Sequence, residues 1–307
     1  MYLCILKTGL NMAFTWRLHN QKQIERMMTE IPNLDTLITM ALREDVGDGD
    51  HSTLACIPAS ASGTAKMIAK QDGVLCGVDV AAKVFGIVDK ELVVNVLLKD
   101  GATIHKGDVL MTVEGHSGSI LTAERTALNF IQRLSGIATQ TNAMVQMLSG
   151  LHTRLLDTRK TTPNMRLLEK YAVKCGGGTN HRIGLYDMVM LKDNHIDFAG
   201  GITAAIDRTT AYLKQIGKPL KIEIEVRNLD ELNQVLAHGG VDRIMLDNFD
   251  VPTLRQAVTL IGGRYETEAS GGITEQTLRS YAETGVDFIS VGALTHHIKS
   301  LDISLVV

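Results

Sequence analysis

Short apolar runs alternate with longer amphipathic segments throughout the second half of the chain. Six apolar runs predict strands near Arg154–Leu156, Met188–Leu191, Lys221–Val226, Arg243–Leu246, Tyr265–Ala269 and Phe288–Val291. Apolar positions at helical spacing predict helices between most of them, at Asn164–Val173, Thr203–Ile216, Leu229–Ala237, Thr253–Leu260 and Gln276–Glu283. Strands that alternate with helices of about 10–15 residues are typical of a parallel sheet, closed here into a barrel or near-barrel. Six visible strands do not support a complete barrel of about eight.

The part of the chain before residue 51 predicts a helix and a turn. Helical spacing extends from residue 1 to about residue 45, for example at Leu34, Ile38 and Leu42, and the acidic, glycine-rich stretch Asp45–Asp50 follows it. If Asp45 began a calcium-binding loop, the twelfth position, which needs a bidentate Glu, would be Cys56. We therefore interpret the acidic stretch as a solvated turn.

Between residues 63 and 118 the pattern changes to short β-rich runs bounded by glycines. These runs predict an antiparallel or mixed sheet with strands at Thr64–Ala69, Val74–Cys76, Leu92–Leu98 and Val109–Val113. Helical spacing returns across Ser119–Ser149. The adjacent Ser135 and Gly136 are expected to break that segment into two helices.

The composition is that of an ordinary globular protein, with 45% apolar and 21% charged residues among 307. This length is about twice that of a usual domain, which favours two domains or one large α/β domain with an appendage. The 31 basic and 34 acidic residues give a net charge of −3, and only 4% of the residues are aromatic. Nucleic acid is therefore not an expected partner, because its binding favours a basic excess and aromatic stacking surfaces.

The sequence predicts neither a membrane span nor an exported protein. The longest apolar runs fall far short of the ~20 residues that cross a bilayer. The apolar run Tyr2–Leu6 lacks a basic flank and is shorter than the core of a signal sequence. The four cysteines, Cys4, Cys56, Cys76 and Cys175, include no CxxC pair and suggest neither a disulfide framework nor a zinc site. We expect a cytoplasmic protein with reduced thiols.

Four cationic side chains lie in loops around the first two strands of the predicted barrel. Arg159 and Lys160 follow the first strand, Arg182 lies in a glycine-rich loop, and Lys192 ends the second strand. The loops that follow barrel strands share one face. Like charges ~4 Å apart repel by about 4 kcal/mol at an effective dielectric near 20, so such a cluster needs anions among its members. The cluster predicts an anionic ligand with more than one acidic group.

Acidic side chains follow at the next strands. Glu223 and Glu225 alternate along one strand, which places both carboxylates on one face, roughly 7 Å apart. Asp247 closes the following strand on the same rim. Such oxygen ligands suit Mg²⁺, which typically combines one or two carboxylates with substrate phosphates and waters. The alternative, in which Glu223 and Glu225 only neutralise nearby Lys and Arg, stays open.

Glycines follow the last two strands. One loop reads Ser270-Gly271-Gly272 and the other begins Gly292-Ala293. Glycines allow backbone N–H groups to approach an anion, and the loops after the final barrel strands are the usual phosphate site of this architecture. The pair of loops therefore predicts a phosphate site.

These motifs, taken together and in order, resemble the quinolinate phosphoribosyltransferase family. The segments that resemble it are Glu124–Asn129, Thr158–Thr161, Asn180–Arg182, Leu191–His195, Glu223–Val226, Leu246–Phe249, Ser270–Ile273 and Gly292–His296. The resemblance runs from about Leu34 to the C-terminus. It departs from the family at His297, where a small residue such as Ser is more usual.

The resemblance implies a two-domain enzyme. Residues 1–135 would form an N-terminal α/β sandwich, against which the extreme C-terminus could pack. Residues 136–307 would form an incomplete α/β barrel of about six to seven strands. It further implies a homodimer with shared active sites and the reaction of quinolinate with phosphoribosyl pyrophosphate. The products are nicotinate mononucleotide, pyrophosphate and CO₂, with Mg²⁺ as cofactor, in NAD biosynthesis.

The resemblance also implies roles for individual residues. The quinolinate carboxylates would be held by Arg159, His181, Arg182 and Lys192, and by Arg125 from the neighbouring subunit. Lys160, next to Thr158 in the substrate-binding loop, would lie between the two substrates. Glu225 and Asp247 would bind the ribose hydroxyls and Mg²⁺. Together with Lys160 they would be the catalytic residues. The 5′-phosphate would be bound by Ser270, Gly271, Gly272, Gly292 and Ala293, with His296 nearby.

Two other functions remain open at this point. A sibling phosphoribosyltransferase, such as the paralogue associated with molybdenum transport or an enzyme acting on nicotinic acid, would share the phosphate loops but need fewer cations. Alternatively, residues 63–118 would form a carrier or interaction module, modified at Lys106 and fused to an inert barrel.

Overall fold

The computed structural model describes residues 31–307, so the predictions for Tyr2–Leu6, for Cys4 and for helical spacing before residue 31 concern residues outside it. The strands are β1 (Ser62–Ala69), β2 (Gly73–Val74), β3 (Val93–Val96), β4 (Thr103–Ile104), β5 (Val109–His116), β6 (Arg154–Leu156), β7 (Val189–Leu191), β8 (Ile222–Val226), β9 (Arg243–Asp247), β10 (Glu266–Ser270), β11 (Phe288–Ser290) and β12 (Ile303–Val306). The helices are α1 (Leu34–Val46), α2 (His51–Cys56), α3 (Val78–Val88), α4 (Ser117–Met147), α5 (Arg166–Cys175), α6 (Asp193–Ala199), α7 (Ile202–Ile216), α8 (Leu229–His238), α9 (Val251–Ile261), α10 (Glu275–Ala282) and α11 (Ala293–His296).

The described chain divides into two compact α/β units. The first contains the described residues up to 141 together with 162–177 and 298–307, and the second contains 142–161 and 178–297. In the first unit, an antiparallel sheet has the strand order β12-β1-β5-β3. The strand predicted at Thr64–Ala69 is present as β1, and its alternate residues Ala65, Met67 and Ala69 are fully buried.

The N-terminus of α3 depends on a residue far along the chain. Asp100 accepts hydrogen bonds from the backbone N–H groups of Gly77 and Val78, both at 2.9 Å, and from the hydroxyl of Tyr171 at 2.7 Å. These bonds satisfy amide groups that the first helical turn leaves without partners. Helix α3 was not among the helices predicted from the sequence, and its capping contact comes from a residue more than 20 positions away.

The predicted break at Ser135-Gly136 is wrong, because α4 runs without interruption through 31 residues. The hydroxyl of Ser135 accepts a hydrogen bond from the backbone N–H of Cys76 at 2.9 Å and donates one to its carbonyl at 3.0 Å. Gly136 faces the backbone of Lys299, and a β-carbon there would collide with that carbonyl. Both small residues therefore admit close backbone packing instead of ending the helix.

We predict that Gly136→Ala destabilises the protein by about 1–3 kcal/mol, since the added methyl group overpacks the contact with Lys299. Gly86→Ala is the matched control, because Gly86 lies in α3 and a β-carbon added there would meet no atom within 4 Å. That variant should be neutral or more stable by about 0.5–1 kcal/mol, since alanine favours helices. Urea unfolding of both variants measures the difference, and equal stabilities would contradict the packing role of Gly136.

The second unit is built on a parallel six-stranded sheet, as predicted. Its strand order is β6-β11-β10-β9-β8-β7, and an isolated parallel bridge joins Leu156 in β6 to Thr179. The carboxyl ends of all six strands lie at one edge, and α7 to α10 connect or follow them along the chain. The six strands form an incomplete α/β barrel. The short helices α6 and α11 follow strand ends in segments that were interpreted as loops.

Three further predictions concern membrane-spanning helices, the cysteine thiols and the acidic stretch Asp45–Asp50. None of the helices within residues 31–307 combines the length and hydropathy that a bilayer span requires. Cys56, Cys76 and Cys175 are free thiols. Asp50, the last residue of the acidic stretch, caps α2 by accepting a hydrogen bond from the backbone N–H of Thr53 at 3.1 Å. The stretch therefore contains the last two residues of α1, followed by a turn at residues 47–50 that leads into α2.

Candidate functional site

A cavity of about 890 Å³ opens at the carboxyl end of the barrel strands. The predicted site residues that line it are Thr158, Arg159, Lys160, His181, Arg182, Lys192, Glu225, Asp247, Ser270, Gly271, Gly272, Gly292, Ala293 and His296. Arg125 is the exception, because it lies exposed on α4 in the first unit and is not among the lining residues. The structure therefore brings together every predicted site residue of the second unit.

The cationic residues gather along one side of this cavity. Burial and the charge of Arg159 lower the pKa of Arg182, which indicates that the two guanidinium groups are near each other. Lys192 Nζ lies 3.0 Å from Glu225 Oε2, and the Lys192 side chain is still half-exposed to the cavity. This concentration of positive charge suits a ligand with more than one negative charge.

The loop after β6 is tied to the loop after β11. The backbone N–H of Lys160 donates to Thr158 Oγ1 at 3.0 Å, and the Lys160 carbonyl accepts a hydrogen bond from Thr295 Oγ1 at 2.8 Å. A β-carbon at Gly292 would lie 3.0 Å from Lys160 Cδ and 2.8 Å from His296 Nε2. Glycine at this position therefore allows the Lys160 and His296 side chains to share one side of the cavity.

The first of the two predicted phosphate loops has a backbone conformation that favours glycine, whereas Gly292 in the second has an ordinary helical backbone with a φ of −65°. Gly271 has a φ of 96° and Gly272 a φ of 61°, both in the left-handed region. A β-carbon at Gly271 would overlap the side chain of Asn248. The backbone N–H of Asn248 donates a hydrogen bond to the Ser270 carbonyl at 2.8 Å. Burial and the charges of His297 and Lys160 lower the pKa of His296. The lowered pKa favours the neutral, hydrogen-bonding form of His296 beside these loops.

The two carboxylates of the cavity have the donor chemistry that Mg²⁺ prefers. Glu225 and Asp247 end adjacent strands, and Asp247 is paired in register with Ser270 of the next strand. Glu225 Oε2 is bonded to Lys192, and Asp247 Oδ2 accepts a hydrogen bond from Asn248 Nδ2 at 2.5 Å. One oxygen of each carboxylate thus makes the protein contact and the other can meet a ligand. Two carboxylates with substrate phosphates and waters fit the coordination that Mg²⁺ usually adopts.

Two other clusters of potential metal ligands occur within residues 31–307, and both are explained without a metal. The first cluster, in the first unit, consists of Cys76, Asp100 and Cys175. The second cluster, in the second unit, consists of His181, Glu223 and Glu268. The Asp100 carboxylate already accepts three hydrogen bonds, and burial raises the pKa of both thiols. In the second cluster, a guanidinium nitrogen of Arg243 lies 3.2 Å from Glu268, where it supplies positive charge.

The second cluster forms the floor beneath the cavity. His181 Nε2 lies 3.0 Å from Glu223 Oε2 and 3.2 Å from Glu268 Oε2, and both glutamates are fully buried. Arg243 is sandwiched between these acids and the ring of Phe288, 4.2 Å from the ring centroid. Buried carboxylates are costly unless cations neutralise them. Glu223 and Glu225 therefore both have cationic partners, but of the two only Glu225 lines the cavity.

The protonation of His181 is decided by two opposing contacts. Burial lowers its pKa, but hydrogen bonds and charges from Glu223 and Glu268 outweigh burial and raise the pKa to about 9. The backbone N–H of Arg182 points at Nδ1 from 2.6 Å, which favours the neutral ring. One backbone hydrogen bond contributes ~1 kcal/mol. A pKa raised this far corresponds to roughly 3 kcal/mol, so we assign His181 as a cation at neutral pH.

We predict that this charge makes part of the stability depend on pH. Because the folded-state pKa is raised from 6.5 to about 9, the stabilisation is present below pH 6.5 and lost as the pH rises through 9. The free energy of unfolding should differ between wild type and His181→Gln by a larger amount at pH 6 than at pH 10. Urea unfolding measures this gap, with His152→Gln as an exposed control. A gap that stays constant would mean that His181 is neutral.

Several lining residues were not predicted. They are Leu185, Met190, His195, Met245, Asn248, Glu268, Ile273, Thr274, Ser290 and Val291. Glu268 is the most informative, because Glu266 and Glu268 alternate in the same way as Glu223 and Glu225. That alternation was the available signal. The apolar members could not be distinguished from ordinary core residues, since strand patterns look alike whether a side chain meets the core or a cavity.

Two family models match most of the chain. The model described as "Quinolinate phosphoribosyl transferase, C-terminal domain" matches residues 137–306, and the corresponding N-terminal domain model matches residues 50–135. A chloroplastic nicotinate-nucleotide pyrophosphorylase (carboxylating) from Oryza sativa subsp. japonica is 47% identical over 288 residues, which cover 89% of this chain and 77% of the relative. A probable nicotinate-nucleotide pyrophosphorylase (carboxylating) from Bacillus subtilis (strain 168) is 42% identical over 272 residues, 89% of this chain and 92% of the relative.

Solved structures agree with these matches. The nicotinate-nucleotide pyrophosphorylase from Francisella tularensis has a TM-score of 0.85 and 44% identity, covering 90% of this chain and 97% of that one. Human nicotinic acid phosphoribosyltransferase has a TM-score of 0.54 at 13% identity, covering 83% of this chain and 72% of that one. At that identity only the fold is shared.

Proposed function

Because the chain belongs to the quinolinate phosphoribosyltransferase family, we propose that it converts quinolinate and phosphoribosyl pyrophosphate to nicotinate mononucleotide, pyrophosphate and CO₂. This reaction would place the enzyme in NAD biosynthesis. The observation that supports the proposal best is the composition of one cavity, which combines a cluster of cations, two carboxylates and two glycine loops.

Quinolinate has two ring carboxylates, and the cationic side of the cavity offers charge for both. In the proposed complex Arg159, Arg182 and Lys192 bind these carboxylates, and Lys160 lies between the two substrates. His181 contributes positive charge from the floor, where its Nε2 faces the buried glutamates instead of the cavity. An acceptor with a single carboxylate would leave part of this cluster without a counter-charge.

Phosphoribosyl pyrophosphate would occupy the other side of the cavity. The backbone of Ser270–Gly272 and Gly292–Ala293 would bind the 5′-phosphate, with His296 as a further donor. Glu225 and Asp247 would bind the ribose hydroxyls and hold Mg²⁺. When bound, Mg²⁺ neutralises charge on the pyrophosphate leaving group.

The chemistry then depends on positioning and charge. Departure of pyrophosphate leaves positive charge on the ribose, which the carboxylates of Glu225 and Asp247 can stabilise. The ring nitrogen attacks the ribose carbon as its bond to pyrophosphate breaks, and the nitrogen becomes cationic. Loss of the adjacent carboxylate as CO₂ leaves an electron pair on the neighbouring ring carbon, which the cationic nitrogen stabilises until that carbon takes up a proton. No covalent enzyme intermediate is required for this sequence.

The decisive assay is release of ¹⁴CO₂ from carboxyl-labelled quinolinate, with and without phosphoribosyl pyrophosphate. Release that requires both substrates supports the proposed function. A panel that includes nicotinate tests the sibling activity, because nicotinate has one ring carboxylate. Turnover of nicotinate without turnover of quinolinate would refute the proposal.

We predict that Arg159→Ala weakens quinolinate binding at least tenfold without unfolding the protein. Removing one partner of a buried charged pair usually costs ~2–5 kcal/mol. Calorimetric titration of quinolinate measures the loss, and the melting temperature serves as the control for folding. Wild-type affinity in the variant would exclude Arg159 from the acceptor site.

The active form is proposed to be a homodimer with shared sites, in which Arg125 of one subunit completes the cavity of the other. Its exposure on α4 and its absence from the lining residues are compatible with such a role. Sedimentation analysis tests the dimer, and a monomer with full activity would refute it.

We also propose that the enzyme works in the cytoplasm. The thiols of Cys56, Cys76 and Cys175 are free, which suits a reducing compartment. Plant relatives are named as chloroplastic or mitochondrial proteins, so the compartment needs a direct test. Cell fractionation followed by the CO₂ assay provides it, and activity confined to an organelle would refute a cytoplasmic location.

A further inference from the structure

The segment between Arg182 and strand β7 folds into a tight loop that closes on one carboxylate. Asp187 Oδ2 accepts a hydrogen bond from the backbone N–H of Ile183 at 2.7 Å, and its Oδ1 accepts one from Gly184 at 2.8 Å. Hydrogen bonds from N–H groups to an ionised carboxylate are stronger than neutral ones. Asp187 therefore clamps the start of the loop to its end.

The side chain of Arg182 is bonded to the far end of the same loop. Its Nη1 donates to the carbonyl of Met188 at 3.2 Å, and its Nη2 contacts Met190 Sδ at 3.6 Å. Met188 directly follows Asp187, so any change in the clamp moves the carbonyl that holds the guanidinium. Leu185, in the middle of the loop, lines the cavity although the residue is 76% exposed.

Arg182 needs this anchor because of its surroundings. Burial and the positive charge of Arg159 both disfavour the charged guanidinium, whereas the negative charges of Glu223 and, to a smaller extent, Asp187 favour it. Two cations held near each other repel, and an untethered guanidinium would turn toward water. The clamp offsets that repulsion with a nearby negative charge and a fixed carbonyl oxygen.

The loop also depends on the small size of Gly184. This residue is buried, and a β-carbon on it would lie 2.5 Å from the ring of Tyr186. The Tyr186 ring therefore packs directly on the backbone of Gly184. An alanine at this position would push the Tyr186 ring aside and disturb the loop without changing its charge.

We propose that Asp187 is a positioning residue for the acceptor substrate. Its clamp holds the Arg182 guanidinium and the Leu185 side chain at the cavity before the substrate arrives. This inference rests on the proposed function, in which Arg182 binds a quinolinate carboxylate. Groups that are already ordered lose less freedom on binding, so releasing two of them should weaken quinolinate binding by roughly tenfold.

The test compares Asp187→Ala and Gly184→Ala with Asp197→Ala, an exposed acid that pairs with Arg227 and does not line the cavity. Calorimetry gives the Kd for quinolinate, and steady-state kinetics give the KM for phosphoribosyl pyrophosphate. Hydrogen exchange of the peptide spanning residues 183–188 reports on the loop. We expect faster exchange and about tenfold weaker quinolinate binding in both loop variants, with the KM for phosphoribosyl pyrophosphate within about twofold of wild type. Asp197→Ala should match wild type in all three measurements.

Faster exchange with wild-type quinolinate affinity would overturn the inference. An equal loss for both substrates would also overturn it, because that pattern indicates general damage to the barrel. If Asp187→Ala does not fold, Gly184→Ala and Asp187→Asn decide by the same criteria. A wild-type protein that neither binds quinolinate nor releases CO₂ would instead refute the proposed function, and the inference with it.

Discussion

Mixing inactive Arg125→Ala subunits with inactive Lys160→Ala subunits is expected to restore about a quarter of wild-type activity. In a mixed dimer with shared sites, one cavity contains both intact residues and the other lacks both. Random exchange makes half of the dimers mixed, and half of their sites are active. The measurement is CO₂ release after the two variants have been incubated together.

The result depends on subunit exchange, which native mass spectrometry of differently labelled variants can verify. Each variant incubated with itself is the control and should remain inactive. Mixed dimers that form and stay as inactive as their parents would show that Arg125 does not act on the neighbouring subunit's cavity.

Glu225→Gln and Asp247→Asn should each lower kcat by about 10²–10³-fold, because each removes a charge proposed to stabilise the transition state. Both substitutions keep the size and a hydrogen-bonding oxygen, so the cavity should hold its shape. The dependence of the rate on Mg²⁺ concentration should change in the same variants, since both carboxylates are proposed to hold the ion. Initial rates over a range of Mg²⁺ concentrations measure both effects.

Glu283→Gln is the matched control, because this acid forms a surface pair with Arg279 and does not line the cavity. It should leave kcat and the Mg²⁺ dependence unchanged. Unaltered Mg²⁺ dependence in both cavity variants would make Glu225 and Asp247 structural partners of Lys192 and Asn248 instead of metal ligands.

Much of the barrel could be predicted from the sequence because strand and helix periods are local. The six strands were predicted to within two residues of their observed ends, and α7 to α10 were predicted with similar accuracy. The cavity residues could be predicted for a related reason. In a parallel sheet, the residue after each strand lies at the same edge, so position along the chain is sufficient to bring Arg159, Lys192 and Asp247 together.

The charge state of His181 required the folded barrel. Its two acidic partners come from β8 and β10, and the competing cation Arg243 comes from β9 between them. The spacing of residues in the sequence does not give the distances between these buried side chains, which come from different strands. The role of Glu268 was missed for that reason, although its alternation with Glu266 was visible.

The sequence by itself determined the class of fold, the parallel order of strands and helices, and the face on which cations, carboxylates and phosphate loops meet. These features depend on backbone periodicity and on residue types near each strand end, which are local properties. The tertiary structure decided whether Ser135 and Gly136 break a helix or admit a neighbouring backbone, and how Asp100 caps α3. Those outcomes depend on packing and hydrogen bonds between segments far apart in the chain, which no local pattern contains.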